Sequence, residues 1–320
     1  MMRKEPVPLD ARAGAEPRPG GPVAAGLLAA ALVGASAFVP LLAPLALVAP
    51  LPLALQRLRG GLAGALLATA LAGAMVATIG PPAAVTFVLG LAPAGLLLGE
   101  SLARGRGLLR GCGWAFALLV SEIAAALVLA GSAMAERFTG PLERLTAEPF
   151  LSELRAGGLP PERVSEFVDQ VSSLRDVLAV VYPAAWIIGA GVLVAVNAAL
   201  LRFYLARRDP GWLEDGEFER VHWPLGLVAA FILSGAAVAL PLARPVAYNV
   251  LLVVAFFFLL QGVAVVAFYA RRLAGPPLLR LAILFLVLAN PWAPQILALL
   301  GLFDNWFDFR RWAEPPSDRR

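Results

Sequence analysis

Cysteine, histidine and lysine each occur once, as Cys112, His222 and Lys4. A lone cysteine has no partner for an intrachain disulfide, and with a lone histidine it cannot build a Cys/His metal cluster. A GxxxxGK[ST] phosphate loop needs a lysine behind a glycine-rich turn, and Lys4 follows none. Charge is scarce as well. Only 15% of the 320 residues are Asp, Glu, Lys or Arg, whereas soluble domains carry about 25%. So few charges cannot cover a water-soluble globule, and lipid must solvate much of the surface.

What fills the chain instead is apolar: 60% of the residues are hydrophobic. A membrane span takes roughly 17–25 apolar residues at ~1.5 Å rise each. The runs 23–39, 41–55, 61–80, 82–100, 112–133, 178–203, 224–242 and 246–269 qualify. The second is short and holds Pro40, Pro44, Pro50 and Pro52, which predicts a kinked or partial crossing. A further apolar segment, 277–303, is interrupted by Asn290-Pro291-Trp292-Ala293-Pro294. The predicted fold is therefore an all-α polytopic transmembrane helix bundle of about eight spans. A broken or re-entrant C-terminal segment follows them.

The basic residues sit between the runs, on alternate connections: the N-terminal tail; Arg57 and Arg59; Arg104, Arg106 and Arg110; Arg202, Arg207, Arg208 and Arg220; Arg271, Arg272 and Arg280. This alternation predicts a bacterial inner-membrane protein with a cytoplasmic N-terminus. Short clusters between apolar runs do not make a phosphate-binding face, so no nucleic-acid partner is expected. Residues 1–21, rich in Pro, Gly and Arg, read as a disordered cytoplasmic tail. The transmembrane domain follows over 22–312 and a short tail over 313–320. Ala35-Ser36-Ala37 resembles a signal-peptidase site, but the long n-region with Glu5, Asp10 and Glu16 favours a retained first span.

The long connection 134–177 holds five arginines against eight acids and is predicted to be an extracytoplasmic helical loop. Val164, Phe167, Val168, Val171, Leu174 and Leu178 recur at helical spacing after Pro160-Pro161-Glu162. Two readings stay open: a helical cap on the bundle, or a span extending beyond the bilayer with an apolar side. The C-terminal tail lies inside if 277–303 turns back and outside if it crosses. Arg310, Arg311, Arg319 and Arg320 favour the inside.

Glu122 stands near the middle of the span 112–133. An acid at bilayer depth costs about 2.5–3.5 kcal/mol or more unless paired, protonated or hydrated, which makes it a functional-site candidate. The alternative is a protonated carboxyl bonded to a neighbouring helix. Asn197, Gln261 and Asn290 join it as candidate ligand-binding residues. An intramembrane amide also serves as structural glue, worth about 0.6–2 kcal/mol. Helices broken near the midplane expose backbone groups that hold ligands in transporters, which draws attention to Asn290 at its proline break. Small residues form two stripes in the third run: Gly60, Gly64, Ala68 and Ala72; and Gly61, Ala65, Thr69, Gly73 and Ala77. Their spacing predicts close helix packing, within the chain or against a partner. Trp306, Phe307, Arg310, Arg311 and Trp312 alternate rings with charges and are predicted to anchor the tail at the membrane interface. No paired acids, catalytic histidine or metal cluster lies at bilayer depth, so no enzyme activity, cofactor or metal is expected.

Three stretches carry a resemblance. They are Tyr182-Pro183-Ala184-Ala185-Trp186 running to Asn197 and Arg202, Phe218-Glu219-Arg220-Val221-His222-Trp223-Pro224, and Leu300-Gly301-Leu302-Phe303-Asp304-Asn305-Trp306-Phe307-Asp308-Phe309-Arg310. Over residues 22–312 the chain resembles the YybS-like family of uncharacterised bacterial membrane proteins. The Gly-x-x-Asp-x-Trp-Phe-Asp-Phe-Arg ending is the most specific part. That family is distantly similar to substrate-binding subunits of energy-coupling-factor vitamin transporters and to small cell-shape membrane proteins. The resemblance implies a class and a topology. With Glu122 and the broken last segment it frames one expectation, a small-molecule binding or transport component needing a separate ATPase or an ion gradient; the outer loop, small-residue stripes and aromatic tail frame the other, a membrane scaffold or morphogenesis factor acting through envelope proteins. The extra spans and the long outer loop depart from six-helix members of that group.

Overall fold

The computed structural model describes residues 21–213, 216–272, 290 and 292–313, and its regular structure is entirely helical. In chain order the helices are α1 (Pro22–Phe38), a 3-10 segment (Pro40–Val48), α2 (Pro50–Ala77), α3 (Pro81–Ala103) and α4 (Leu108–Leu145). They continue with α5 (Glu148–Ala156), α6 (Pro161–Arg208), α7 (Leu225–Ala237), α8 (Arg244–Arg272) and α9 (Ala293–Phe307). Proline opens α1, α2, α3 and α6, where its missing N–H costs nothing because the first turn has no acceptor for it.

Among the described residues, five helical runs are long and apolar enough to cross a membrane: Leu41–Ala77, Pro81–Ala103, Leu108–Ala156, Pro161–Arg208 and Arg244–Arg272. Two shorter apolar helices, α1 and α7, have 17 and 13 residues. The helical membrane bundle stands, and the boundaries of eight separate spans are revised. The expected spans 41–55 and 61–80 form one helical run, broken at Gly61 with φ 70° and ψ −176°. A side chain would be strained at that φ, so glycine marks the break just after Arg57 and Arg59. The expected span 224–242 ends early, at Ala237, because Pro241 lacks a donor and disfavours helix in the residue before it. Residues 1–20, 273–289 and 314–320 lie outside the described residues. With them lie the expected N-terminal tail, most of the last tail, and the crossing or return of 277–303.

The chain forms two compact units, and α4 and α6 each contribute to both. The first comprises residues up to Glu122 and Gly189–Asp215. Its core joins Ala29, Ala30 and Val33 of α1 to Ala68, Ala72 and Val76 of α2, with Phe87 and Ala92 of α3. Helices approach closely here because small residues line the contacts. A Cβ on Gly26 would lie 2.8 Å from the Ala68 carbonyl oxygen. One on Gly95 would lie 2.3 Å from that of Pro50, and one on Gly99 2.7 Å from that of Ala54. The middle of the small-residue stripes, Ala65, Ala68 and Ala72, is buried within the chain.

The second unit comprises Ile123–Ile188 and Gly216 onward. Here α4 deviates from helical geometry at Ala130 (φ −147°, ψ 37°) and runs on to Leu145. Helix α5 folds back on the start of α6, with Phe150 against Phe167 and Leu151, Val164 and Val171 buried. Helix α6 is continuous for 48 residues, about 72 Å at 1.5 Å per residue. Its N-terminal half is continuous with the expected span 178–203, and α5 covers the apolar side of its first turns. The stripe gives out at Leu174, which is exposed.

The other core of this unit centres on α7, α8 and α9, with Val228, Val254, Phe258 and Leu302 buried together. Its crossing of α8 and α9 leaves no room for side chains. A Cβ on Gly262 would sit 1.9 Å from the Leu297 carbonyl oxygen, and one on Gly301 2.0 Å from that of Phe258. Two glycines allow the backbones to touch.

Candidate functional site

Glu122 faces α3 at an irregular turn. Residues Thr86–Leu91 form a π-helical turn, and the cause lies just beyond it. Pro93 has no N–H to give and its ring crowds the carbonyl four residues back, so the ladder widens before it. The Ala92 N–H bonds to the Phe87 carbonyl, one residue wider than α-helical spacing. The next donor in line would be Pro93, which leaves at least one carbonyl of Val88 and Leu89 without a backbone donor.

Gly90 lies within this turn and is buried. A Cβ there would come 3.1 Å from Oε2 of Glu122 and 3.5 Å from Cδ2 of Leu119. The Glu122 carboxyl therefore packs directly on the π turn. Glu122 is half-buried and makes no hydrogen bond or ion pair among the described residues. The neighbouring hydroxyls are committed to their own helices: Ser121 donates to the Leu118 carbonyl at 2.6 Å and Thr86 to that of Pro82 at 3.0 Å. The carboxyl therefore meets no donor among the described residues.

The three candidate amides are placed otherwise. Asn197 is fully buried in the first unit, and its Nδ2 donates to the carbonyls of Leu47 (2.6 Å) and Leu193 (2.8 Å). It ties the end of the 3-10 segment to α6. Gln261 is fully buried in the second unit, accepting from the Trp223 N–H at 3.1 Å and donating to Asp304 Oδ2 at 2.9 Å. Asn290 is exposed, and its Oδ1 accepts from the Trp292 N–H at 2.9 Å in a turn that leads into α9. Asn249 also serves structure. Its carboxamide accepts from the Ala184 N–H and donates to the Val180 carbonyl, both at 2.8 Å. Those two groups would pair with each other in an undisturbed helix, and they flank Pro183.

The C-terminal motif is built around a buried acid that sequence reasoning passed over. Asp304 is wholly buried in α9, one turn from Gly301, so the close crossing brings it to Gln261. Its Oδ2 also pairs with Arg310, and its Oδ1 accepts from the Phe309 N–H at 3.1 Å. Asp308 closes the helix in the left-handed conformation (φ 42°), which turns Phe309 and Arg310 back. Arg310 then donates to the carbonyls of Glu219 (2.6 Å) and Val221 (2.8 Å). Glu219, itself buried, accepts from Arg271 at 3.0 Å, and Trp223 donates its indole N–H to the Phe257 carbonyl at 2.7 Å. Two of the three stretches that carried the family resemblance are thereby locked to each other.

Among the expected membrane anchors, Arg310 is 8% exposed and pairs with Asp304 and two carbonyls. Trp306 and Phe307 are exposed, and so is Arg311. The side chain of Trp312 lies outside the described residues. The one signal for the lock was the i, i+3 spacing of Gly301 and Asp304, which puts a small residue and an acid on one helix face.

No curated protein and no solved structure matches the chain. A family model described as a predicted membrane protein of the DUF2232 type matches residues 27–305. The chain thus belongs to the DUF2232 family of predicted membrane proteins, in keeping with the class that its motifs suggested.

Proposed function

We propose that this multi-pass membrane protein is a binding component for a small polar molecule or ion, with Glu122 as its contact. The observation that carries the reading is a carboxyl near the middle of an apolar helix, packed on a π turn and lacking a partner among the described residues. Such a group is costly in apolar surroundings unless something supplies charge or hydrogen bonds. Gln261 and Asn290 have side-chain or backbone partners, and Asn197 donates through Nδ2 while its buried Oδ1 has no partner, so Glu122 is the candidate whose whole polar group lacks partners among the described residues. The placement of arginines supports an inner-membrane location with the N-terminus in the cytoplasm. Active transport would draw on a separate ATPase or an ion gradient. That part follows the analogy with energy-coupling-factor subunits and rests on fold class alone.

A second reading, a membrane scaffold for envelope proteins, is favoured by a different observation. Phe303, Trp306 and Phe307 expose a contiguous aromatic face on a helix end held rigid by the Asp304–Arg310 lock. Gentle purification of the tagged protein from its own membranes, with mass spectrometry of co-eluting proteins and metabolites, separates the two. A stoichiometric metabolite or an ATPase subunit lost in Glu122→Gln supports the binding component. Envelope proteins retained by Glu122→Gln and lost on removing the aromatic face support the scaffold.

A further inference from the structure

We infer that the first unit holds the phosphate of an anionic phospholipid between Arg59 of α2 and Tyr204 and Arg207 of α6. The cations at this end of the unit fall into two groups. Arg57 and Arg104 both pair with Glu100, so their charge is met within the chain. Arg59, Arg207 and Arg208 are exposed and form no ion pair among the described residues. Two of them are nonetheless held in place by aromatic rings. Arg59 donates to the Tyr204 hydroxyl, and its Cζ lies 5.0 Å from the ring centroid. The Cζ of Arg207 stands 3.8 Å over the Phe203 ring.

Tyr204 and Arg207 stand three residues apart on the continuous helix α6, and so share a face. The Arg59 contact brings a second guanidinium to that face. A ring attracts the charge of a guanidinium but takes none of its N–H groups, which stay free to donate. The Tyr204 hydroxyl accepts from Arg59, so its own proton is free as well. These donor groups, two of them cationic, suit a phosphate diester, whose oxygens match the planar arginine fork. An apolar track beside them points to a lipid as the source. Val192, Ala199 and Phe203 are exposed along one face of α6, leading from the arginines into the apolar run 178–203. An acyl chain can lie along this track while its headgroup meets the arginines, as basic residues beside a span meet anionic lipid.

The test is native mass spectrometry of the full chain in detergent, titrated with phosphatidylglycerol or with phosphatidylcholine of the same acyl chains. The parent chain should prefer phosphatidylglycerol by roughly tenfold. Arg59→Gln with Arg207→Gln should weaken phosphatidylglycerol binding by roughly thirtyfold, about fivefold for each cation lost. Tyr204→Phe should cost roughly fivefold, because the ring stays and the hydroxyl goes. Arg106→Gln with Arg110→Gln removes the same charge from exposed positions of the same unit and should cost less than about threefold. Equal losses in the two double variants would show that surface charge alone draws the lipid, and would overturn the site. Inorganic phosphate binding as tightly as phosphatidylglycerol would overturn a lipid as the source. If the first double variant does not fold, a photoreactive phosphatidylglycerol on the parent chain decides. Crosslinks concentrated at 192–208 support the site, and crosslinks spread evenly over the chain overturn it.

Discussion

Asp304 and Glu122 both lie on apolar helices of this chain, and their surroundings could hardly differ more. Asp304, in the second unit, is fully buried and has Gln261, Arg310 and the Phe309 N–H as partners. Glu122, in the first unit, is half-buried against the Gly90 turn and has none among the described residues. A buried charge that is paired and hydrogen-bonded holds structure together, and removing one partner leaves the other stranded. A carboxyl without partners is destabilising on its own and is best explained by something that binds it. Both acids lie in apolar segments, and what separates them is the set of partners each has among the described residues.

The largest effect is expected at the lock. Asp304→Ala should cost about 3–5 kcal/mol, because it strands the Arg310 guanidinium among carbonyls. Thermal unfolding in detergent checks this, with a fall in midpoint of roughly 10 °C. Arg310→Met should cost nearly as much. The double variant should cost clearly less than the sum, since both residues belong to one network.

Gly262→Leu should rank close behind, because a Cβ there already meets the Leu297 carbonyl oxygen at 1.9 Å and the helices must separate. Overpacking of this kind costs about 1–3 kcal/mol or more. Asn249→Ala should cost about 1–2 kcal/mol by leaving the Ala184 N–H and Val180 carbonyl without their shared partner. Faster hydrogen exchange at Ala184 would report it. The smallest effect on stability is expected from Trp306→Ala with Phe307→Ala. Both rings are exposed, and surface changes usually fall within about 0.5 kcal/mol. A larger loss would mean that these rings pack against something in the membrane.

Much of the fold was legible because lipid imposes simple rules. Apolar runs became helices, Pro161 opened α6, and the break at Gly61 fell beside the arginines that separated two candidate spans. The early end of α7 was also readable, from Pro241. The site was harder. Pro93 could have flagged the π turn, but nothing local placed Glu122 on Gly90, a pairing of residues far apart in the chain. Asp304 and Arg310 sat among aromatic residues and read as a membrane-surface pattern. Their burial depends on the left-handed Asp308 and on Gln261, 43 residues before Asp304. Asn249 stands in the apolar run 246–269 with no local feature to mark it. Only the geometry shows it mending α6 beside Pro183.

The most direct test sets the two acids side by side: thermal unfolding of Asp304→Asn and Glu122→Gln in the same nanodiscs. The account predicts that Asp304→Asn unfolds well below the parent chain. Glu122→Gln should unfold at or above it, because the substitution removes a carboxyl that has no partner. A Glu122→Gln protein as destabilised as Asp304→Asn would show that Glu122 is a structural residue, and would contradict its assignment as the binding group.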